Sequence, residues 1–191
     1  MGKPALSMRE ANEQELLQAI RSGDRDAMRD LYERHQRRVF STSLNFFGGD
    51  HSRAEDVTQQ VFLRLFRDRA FRGDAEFSTW LYRVTINLCI DESRSIRRFF
   101  GLADWFETVD PMSTYSYGDN VENKQLSSSV LAAVRSLRPK YRSPILLKYV
   151  EELSYQEIAD VLECSIGTVS SRINRGMKLL AEKLEHLRGE I

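Results

Sequence analysis

The side chains best suited to chemistry in this chain lie near its C-terminal end: Thr168, Ser170, Ser171, Arg172, Asn174, Arg175 and Lys178. They are hydroxyls, cations and one amide, and they include no acid–base pair or activated nucleophile. An arginine can place two parallel hydrogen bonds on the edge of guanine, and an asparagine can do so on adenine. Each good pair discriminates by ~1–3 kcal/mol. Ser and Thr suit phosphate oxygens near a helix start, where free backbone N–H groups also point. The set is equipped to read a duplex rather than to break a bond.

To reach a groove together, these residues must share a helix, and that helix must be held. Ser154-Tyr155-Gln156-Glu157 has the pattern of a capping box and opens a helix through Leu162. Ile158, Ala159 and Leu162 fit its inner face. Glu163-Cys164-Ser165 makes a short turn, with Ser165 as cap of a helix from residue 166 to about 187. Val169 and Ile173 pack back on the first helix. A capped helix, a tight turn and a basic, polar second helix together spell a helix-turn-helix. A plain solvated amphipathic helix would need all three signals to coincide by chance. The turn position commonly held by Gly is Glu163, and positive φ is uncommon for such a residue, so the detail of the turn stays open.

The rest of the chain is also helical in pattern. Residues 12–22 form a short helix with Asn12 as cap, Glu15 three positions on, and Leu16, Leu17 and Ile20 as its stripe. Asp24 caps the next, in which Ala27, Met28, Leu31, Tyr32, His35, Val39, Phe40, Leu44 and Phe47 recur with the 3.6 period until Gly48-Gly49. Ser52-Arg53-Ala54-Glu55 reads as another capping box. Its helix buries Val57, Val61, Phe62, Leu65 and Phe66 and turns Asp56, Gln59, Gln60, Arg64 and Arg67 outward. A loop over 71–77 contains Gly73. Ser78 is the expected cap of a helix to about residue 97, with Leu81, Val84, Leu88 and Cys89 inside and Trp80, Arg83, Asn87 and Arg94 on a second face.

Periodicity fails from about residue 99 to 123, which contains Gly101, Pro111, Gly118 and a run of Ser, Thr and Tyr. A structureless loop of that length is unusual within one compact domain, so it reads as a linker. Leu126, Val130, Val134 and Leu137 then mark a helix. Either Pro139 or Pro144 starts the next, with Ser143 as cap in the second case and with Ile145, Leu146 and Tyr149 buried. No stretch sustains a period of two. The expectation is an all-α fold of two small helical domains, 1–98 and 124–191, joined by a flexible linker, 99–123.

Composition narrows the function classes. Of 191 residues, 41% are hydrophobic and 29% charged, enough for packed cores in a soluble chain. No apolar run approaches the ~18–20 residues of a membrane span, and the first ten residues lack the apolar core of a signal peptide, so a cytoplasmic location is expected. Cys89 and Cys164 stand far apart, and His35, His51 and His186 are scattered. Neither a disulfide framework nor a metal site is indicated. P-loop, GxGxxG, GxSxG and HExxH patterns are missing. No catalytic residue, cofactor or metal is therefore expected. Net charge is zero, yet five basic residues and no acid lie between 135 and 148, and five acids and no base between 104 and 123. Segregated charge makes strong local fields despite the neutral sum.

The order of these segments resembles the extracytoplasmic-function sigma factors of bacteria. In the N-terminal half the resemblance rests on Arg53-Ala54-Glu55-Asp56-Val57-Thr58-Gln59-Gln60-Val61-Phe62, Phe71-Arg72-Gly73 and Phe77-Ser78-Thr79-Trp80-Leu81-Tyr82-Arg83, continued by Asn87 and Asp91. In the C-terminal half it rests on Leu153-Ser154-Tyr155-Gln156-Glu157-Ile158-Ala159 and Gly167-Thr168-Val169-Ser170-Ser171-Arg172. It implies that Asp56, Gln59 and Gln60 dock on the clamp coiled coil of core RNA polymerase. The loop holding Phe71, Arg72 and Gly73 would receive a flipped base of the −10 element, although Phe71 and Phe77 also suit a core. Trp80, Arg83 and Asn87 would meet the melted strand, Trp80 either as a wedge or by packing alone. Arg94, Arg97 and Arg98 suit phosphates.

The helix carrying Thr168 to Lys178 would read the −35 element beside the polymerase flap, with the basic stretch 135–148 facing phosphates and the acidic linker lying in the RNA path. The implied partners are core polymerase, promoter DNA and an anti-sigma factor, and the implied state is a monomer without membrane insertion. A stand-alone helix-turn-helix regulator is the competing reading. It has no need of the 53–83 motifs.

Overall fold

Eight helices account for the computed structural model, which describes residues 12–67, 70–73, 75–100 and 130–188, without the side chains of 96–100 and 186–188. Residues 1–11, the acidic stretch 104–123 and Leu126 lie outside what is described, as do the side chains of Arg97 and Arg98. The helices are α1 (Glu13–Arg21), α2 (Arg25–Phe46), α3 (His51–Phe66), α4 (Phe77–Phe100), α5 (described over 130–136), α6 (Pro139–Tyr149), α7 (Tyr155–Leu162) and α8 (Ile166–Arg188). No strand occurs among the described residues.

Short polar side chains set most helix starts. Asp24 Oδ1 accepts from the backbone N–H groups of Asp26 at 2.9 Å and Ala27 at 3.1 Å. Glu15 reaches back to the Asn12 N–H at 3.2 Å. At α3 the expected Ser52 box gives way to Asp50, whose carboxylate accepts from the Arg53 N–H at 3.2 Å and from Arg53 Nε at 2.7 Å. A carboxylate beside a helix N-terminus gains from the dipole, which a serine does not. The helix accordingly begins before Ser52. Ser78 likewise falls inside α4 rather than capping it, since the Trp80 N–H already bonds the Glu76 carbonyl at 3.0 Å.

Pro139 occupies the first turn of α6, and Pro144 stands inside that helix, so the alternative start at Ser143 does not occur. The Ser143 hydroxyl instead bonds the Pro139 carbonyl at 2.9 Å. Pro144 is buried with Ile145, Leu146 and Leu147, while Tyr149, expected inside, is exposed. Tyr32 is also more open than its periodicity implied: its ring meets Phe62 edge-on at 4.7 Å but stays 38% exposed.

The two halves do not stand apart. Leu31, Phe46, Val61, Leu81 and Ile86 from the first belong to one continuous apolar cluster with Leu137, Leu147, Ile158 and Ile173 from the second. Arg142, 1% exposed, joins them: it donates to the Phe46 carbonyl at 2.9 Å, the Leu137 carbonyl at 2.8 Å and the Arg135 carbonyl, and lies 4.7 Å from the centre of the Phe46 ring. Arg135 packs on Gly48, where a Cβ would stand 2.8 Å from its Cδ. The basic stretch expected to face phosphates thus spends Arg135 and Arg142 inside the fold. Arg138 and Lys140 remain nearer the surface.

α1 is pinned to α2 partly through His35, whose Nε2 lies 2.8 Å from Glu13 Oε1 and whose ring meets Phe77 at 5.2 Å. Burial lowers the His35 pKa, with Arg38 and Arg34 acting in the same sense and Glu13 against it. The unfolded chain then binds the proton more readily. The stabilisation is complete above the unfolded value of about 6.5 and declines as pH falls toward the folded one. The urea midpoint should drop between pH 7.5 and 5.5 more in the wild type than in His35→Gln. Equal drops in the two proteins would contradict this.

Candidate nucleic-acid interface

The α7–turn–α8 unit is built from a serine cap at each helix start, reciprocal at α7. Ser154 Oγ accepts the Glu157 N–H at 3.2 Å, and Glu157 accepts the Ser154 N–H at 2.7 Å. Hydrogen bonding of the Ser154 side chain and backbone N–H to the Glu157 carboxylate holds it below its ordinary pKa. Glu163 closes α7 in the left-handed conformation, φ 50 and ψ 48, so it adopts the geometry usually left to glycine. Ser165 Oγ then accepts the Thr168 N–H at 3.1 Å.

Val169 and Ile173 are buried, which turns Ser171, Asn174, Arg175 and Lys178 outward and leaves Thr168, Ser170 and Arg172 half-buried. Arg172 Nη1 lies 3.8 Å from Cys164 Sγ, so this arginine is partly engaged in bracing the turn. Cys164 is half-buried rather than enclosed; Cys89 is enclosed, and burial pushes its thiol up to about 12. α8 approaches α6 at Gly176, where a Cβ would sit 2.5 Å from Ile145 Cδ1. Sequence reading passed over Gly176. Its signal was a glycine inside that helix rather than at its start, one turn beyond Arg172.

In the first half, Phe71, Phe77 and Trp80 form an aromatic cluster. Phe71 meets Phe77 at 5.3 Å and Trp80 at 5.6 Å, both edge-on, and Phe77 stacks on Trp80 at 5.8 Å. Phe77 is 3% exposed and belongs to the core, whereas Phe71 and Trp80 are half-buried at the surface. Arg72 and Gly73 are exposed beside them, and Gly73 has φ +89, a value that requires glycine. Asn87 is exposed two turns along α4 from Trp80.

Asp56, Gln59 and Gln60 are all exposed on α3. Asp56 and Gln59 border a groove of about 720 Å³ between α2 and α3, which Tyr32, Phe62 and Leu63 also line. Leu63 is 51% exposed. It was missed as a site residue, although its spacing from Asp56 and Gln59 places an apolar side chain on an otherwise polar face.

Arg83 does not face solvent freely. Its Nη2 donates to the Asp160 carbonyl at 2.7 Å, and its Nη1 lies 3.1 Å from Glu163 Oε1. The loop and helix expected to meet the −10 strand therefore share a cleft with the turn of the helix-turn-helix. The cleft is lined by Glu76, Thr79 and Arg83 on one side and by Asp160, Glu163 and Ser165 on the other. Beside it, Glu151 accepts from the Thr42 hydroxyl at 2.6 Å and the Tyr82 phenol at 2.8 Å. Burial and that carboxylate push the Tyr82 pKa up. Among the described residues no cluster of His, Cys, Asp and Glu forms a metal site, and no helix is long and apolar enough to cross a membrane.

The sequence matches the Sigma-70 region 2 family over residues 31–99 and the Sigma-70, region 4 family over 127–180. It is 32% identical to the ECF RNA polymerase sigma factor SigW of Bacillus subtilis, covering 90% of this chain and 96% of that one. It is 31% identical to the ECF RNA polymerase sigma-E factor of Escherichia coli K12, covering 92% and 95%. The fold is similar to that of the sigma factor RpoE of Bartonella quintana, solved in complex with the anti-sigma factor NepR. The TM-score is 0.64 at 21% identity, over 82% of this chain and 96% of that one.

Replacing Glu151 by Ala leaves the Tyr82 and Thr42 hydroxyls without their shared acceptor. The expected loss is ~1–3 kcal/mol, with faster amide exchange in α4 and α7 where they face each other and unchanged exchange inside α3. Wild-type exchange throughout would contradict the assignment of Glu151 as a tie between the halves.

Proposed function

The chain belongs to the extracytoplasmic-function RNA polymerase sigma factors, and on that premise we propose how its residues divide the work of promoter recognition. It is a promoter-recognition sigma factor, a transcription initiation factor; core polymerase supplies the chemistry. Residues 1–98 act on core polymerase and the −10 element, 99–123 connect, and 124–191 act on the −35 element. The observation that carries this is α8, buried through Val169 and Ile173 and presenting Asn174, Arg175 and Lys178 as an uninterrupted polar face. Arg175 and Asn174 read base edges in the major groove, while Thr168, Ser170, Ser171, Arg172 and Lys178 serve phosphates.

Asp56, Gln59 and Gln60 bind the clamp coiled coil, and the apolar border of the same groove, Tyr32 and Leu63, supplies contact area that the polar residues alone lack. Phe71, Arg72 and Gly73 receive an extruded −10 base, for which Phe71 offers a ring to stack on. Trp80 and Asn87 meet the melted strand. Arg83 joins them only after releasing Asp160 and Glu163, so promoter engagement requires the two halves to part at their shared cleft. The relative solved with an anti-sigma factor supports a partner of that kind here, one that favours the closed arrangement.

The test is transcription with purified core polymerase, this protein and a pool of genomic fragments. Specific transcripts that depend on the added protein are expected. Retention of particular fragments by the protein alone, with no transcript, would favour a stand-alone regulator. On a promoter mapped in this way, Arg175→Ala should weaken selection of the −35 element by roughly tenfold, the size of one bidentate contact, with core binding intact. Asp56→Ala combined with Gln59→Ala should reduce co-purification with polymerase while the melting temperature holds. Unchanged transcription in the first case, or undiminished co-purification in the second, would remove those residues from the assignment.

A further inference from the structure

α1 lies outside both matched segments, residues 31–99 and 127–180, yet it reaches the loop that carries the −10 reading. From its last turn, Arg21 Nη2 donates to the Arg72 carbonyl at 3.2 Å. The same nitrogen stands 3.5 Å from where a Cβ on Gly73 would lie, and Gly73 holds φ +89. The peptide between Arg72 and Gly73 is thus gripped from one side by a guanidinium at the point where the chain takes its left-handed turn. On the other side of that turn Phe71 rests edge-on against Trp80 and Phe77.

A glycine in this conformation loses more freedom on ordering than any other residue. Without an anchor, the loop would have to be ordered by the base it captures, and that cost would be taken from the affinity. Arg21 forms no ion pair among the described residues, and its side chain is exposed, so the carbonyl is its recorded partner.

We propose that Arg21 is a positioning residue for base capture, holding the turn at Phe71, Arg72 and Gly73 in its receptive shape through the Arg72 carbonyl. This rests on the reading of that loop as the receiver of a −10 base. It adds a residue from a helix that the family's matched segments do not include.

The experiment uses holoenzyme reconstituted with core polymerase on a mapped promoter and on templates in which each −10 base, and one −35 base, is substituted in turn. The readout is the ratio of transcription on the cognate template to that on each substituted one. This ratio does not depend on how much folded protein is present, so lost stability alone cannot imitate the effect. Arg21→Met should lower the ratio about tenfold at one −10 position, the scale of a lost, preorganised hydrogen bond, and leave the −35 ratio unchanged. Arg21→Lys, which keeps a donor, should restore most of it. Phe71→Ala is the companion variant.

If Phe71→Ala loses discrimination while Arg21→Met retains it, the role of Arg21 is overturned and the loop reading stands. If both retain it, the loop reading itself fails and takes Arg21 with it. Equal losses at −10 and −35, or no rescue by lysine, would also overturn the hydrogen-bond account.

Discussion

The Arg142 guanidinium is the constraint around which the two halves assemble. Placing a cation at 1% exposure is costly unless its N–H groups are satisfied. Here Nη1 and Nη2 donate to carbonyls at the end of α2 and around the end of α5, and the Phe46 ring lies against the guanidinium. Helix C-termini leave carbonyls without intrahelical donors and carry partial negative charge. One side chain from α6 therefore meets the needs of helix ends in both halves. Each charge-assisted bond of this kind contributes ~1.5–3 kcal/mol net. Once Arg142 is seated, Gly48 must accept Arg135 against it, and the surrounding apolar residues close into a single cluster.

The functional geometry follows from that closure. With α6 fixed on the end of α2, the turn of the helix-turn-helix comes to rest beside α4, and Arg83 finds Asp160 and Glu163. The polar ties at this margin, Glu151 with Thr42 and Tyr82, are individually modest and partly exposed to water. The interface thus has an apolar, cation-sealed centre and a polar rim. None of the residues from Thr168 to Lys178 lines this cleft, whereas Thr79 and Arg83 of α4 do.

Much of this was legible in the sequence, for reasons that are local. Asp24, Ser154 and Ser165 cap where short polar residues precede an apolar period, and Leu16, Leu31, Val61 and Ile173 are buried where that period says. The face of Asp56, Gln59, Gln60, Arg64 and Arg67 is exposed as a block. What was not legible depends on partners distant in sequence. Arg142 and Arg135 look like surface cations until Phe46 and Gly48 are placed beside them. Tyr149 follows the period of its helix but stays exposed. Pro144 stands inside α6, buried with Ile145, Leu146 and Leu147, where its own period gives no sign of a proline being accepted. The resemblance sets Arg83 on the melted strand, and only the packed structure gives it a second set of partners.

The central claim is that promoter engagement separates halves that are packed together in the free protein. The direct measurement is the distance between spin labels at Arg29→Cys on α2 and Glu182→Cys on α8, both exposed sites, with Cys164→Ser to leave only the buried Cys89. It would be taken on the protein alone and again in the transcribing complex. A single distance in the free protein that lengthens clearly on joining polymerase and promoter is the predicted result. The same distance in both states, in a complex that still makes specific transcripts, would contradict the account.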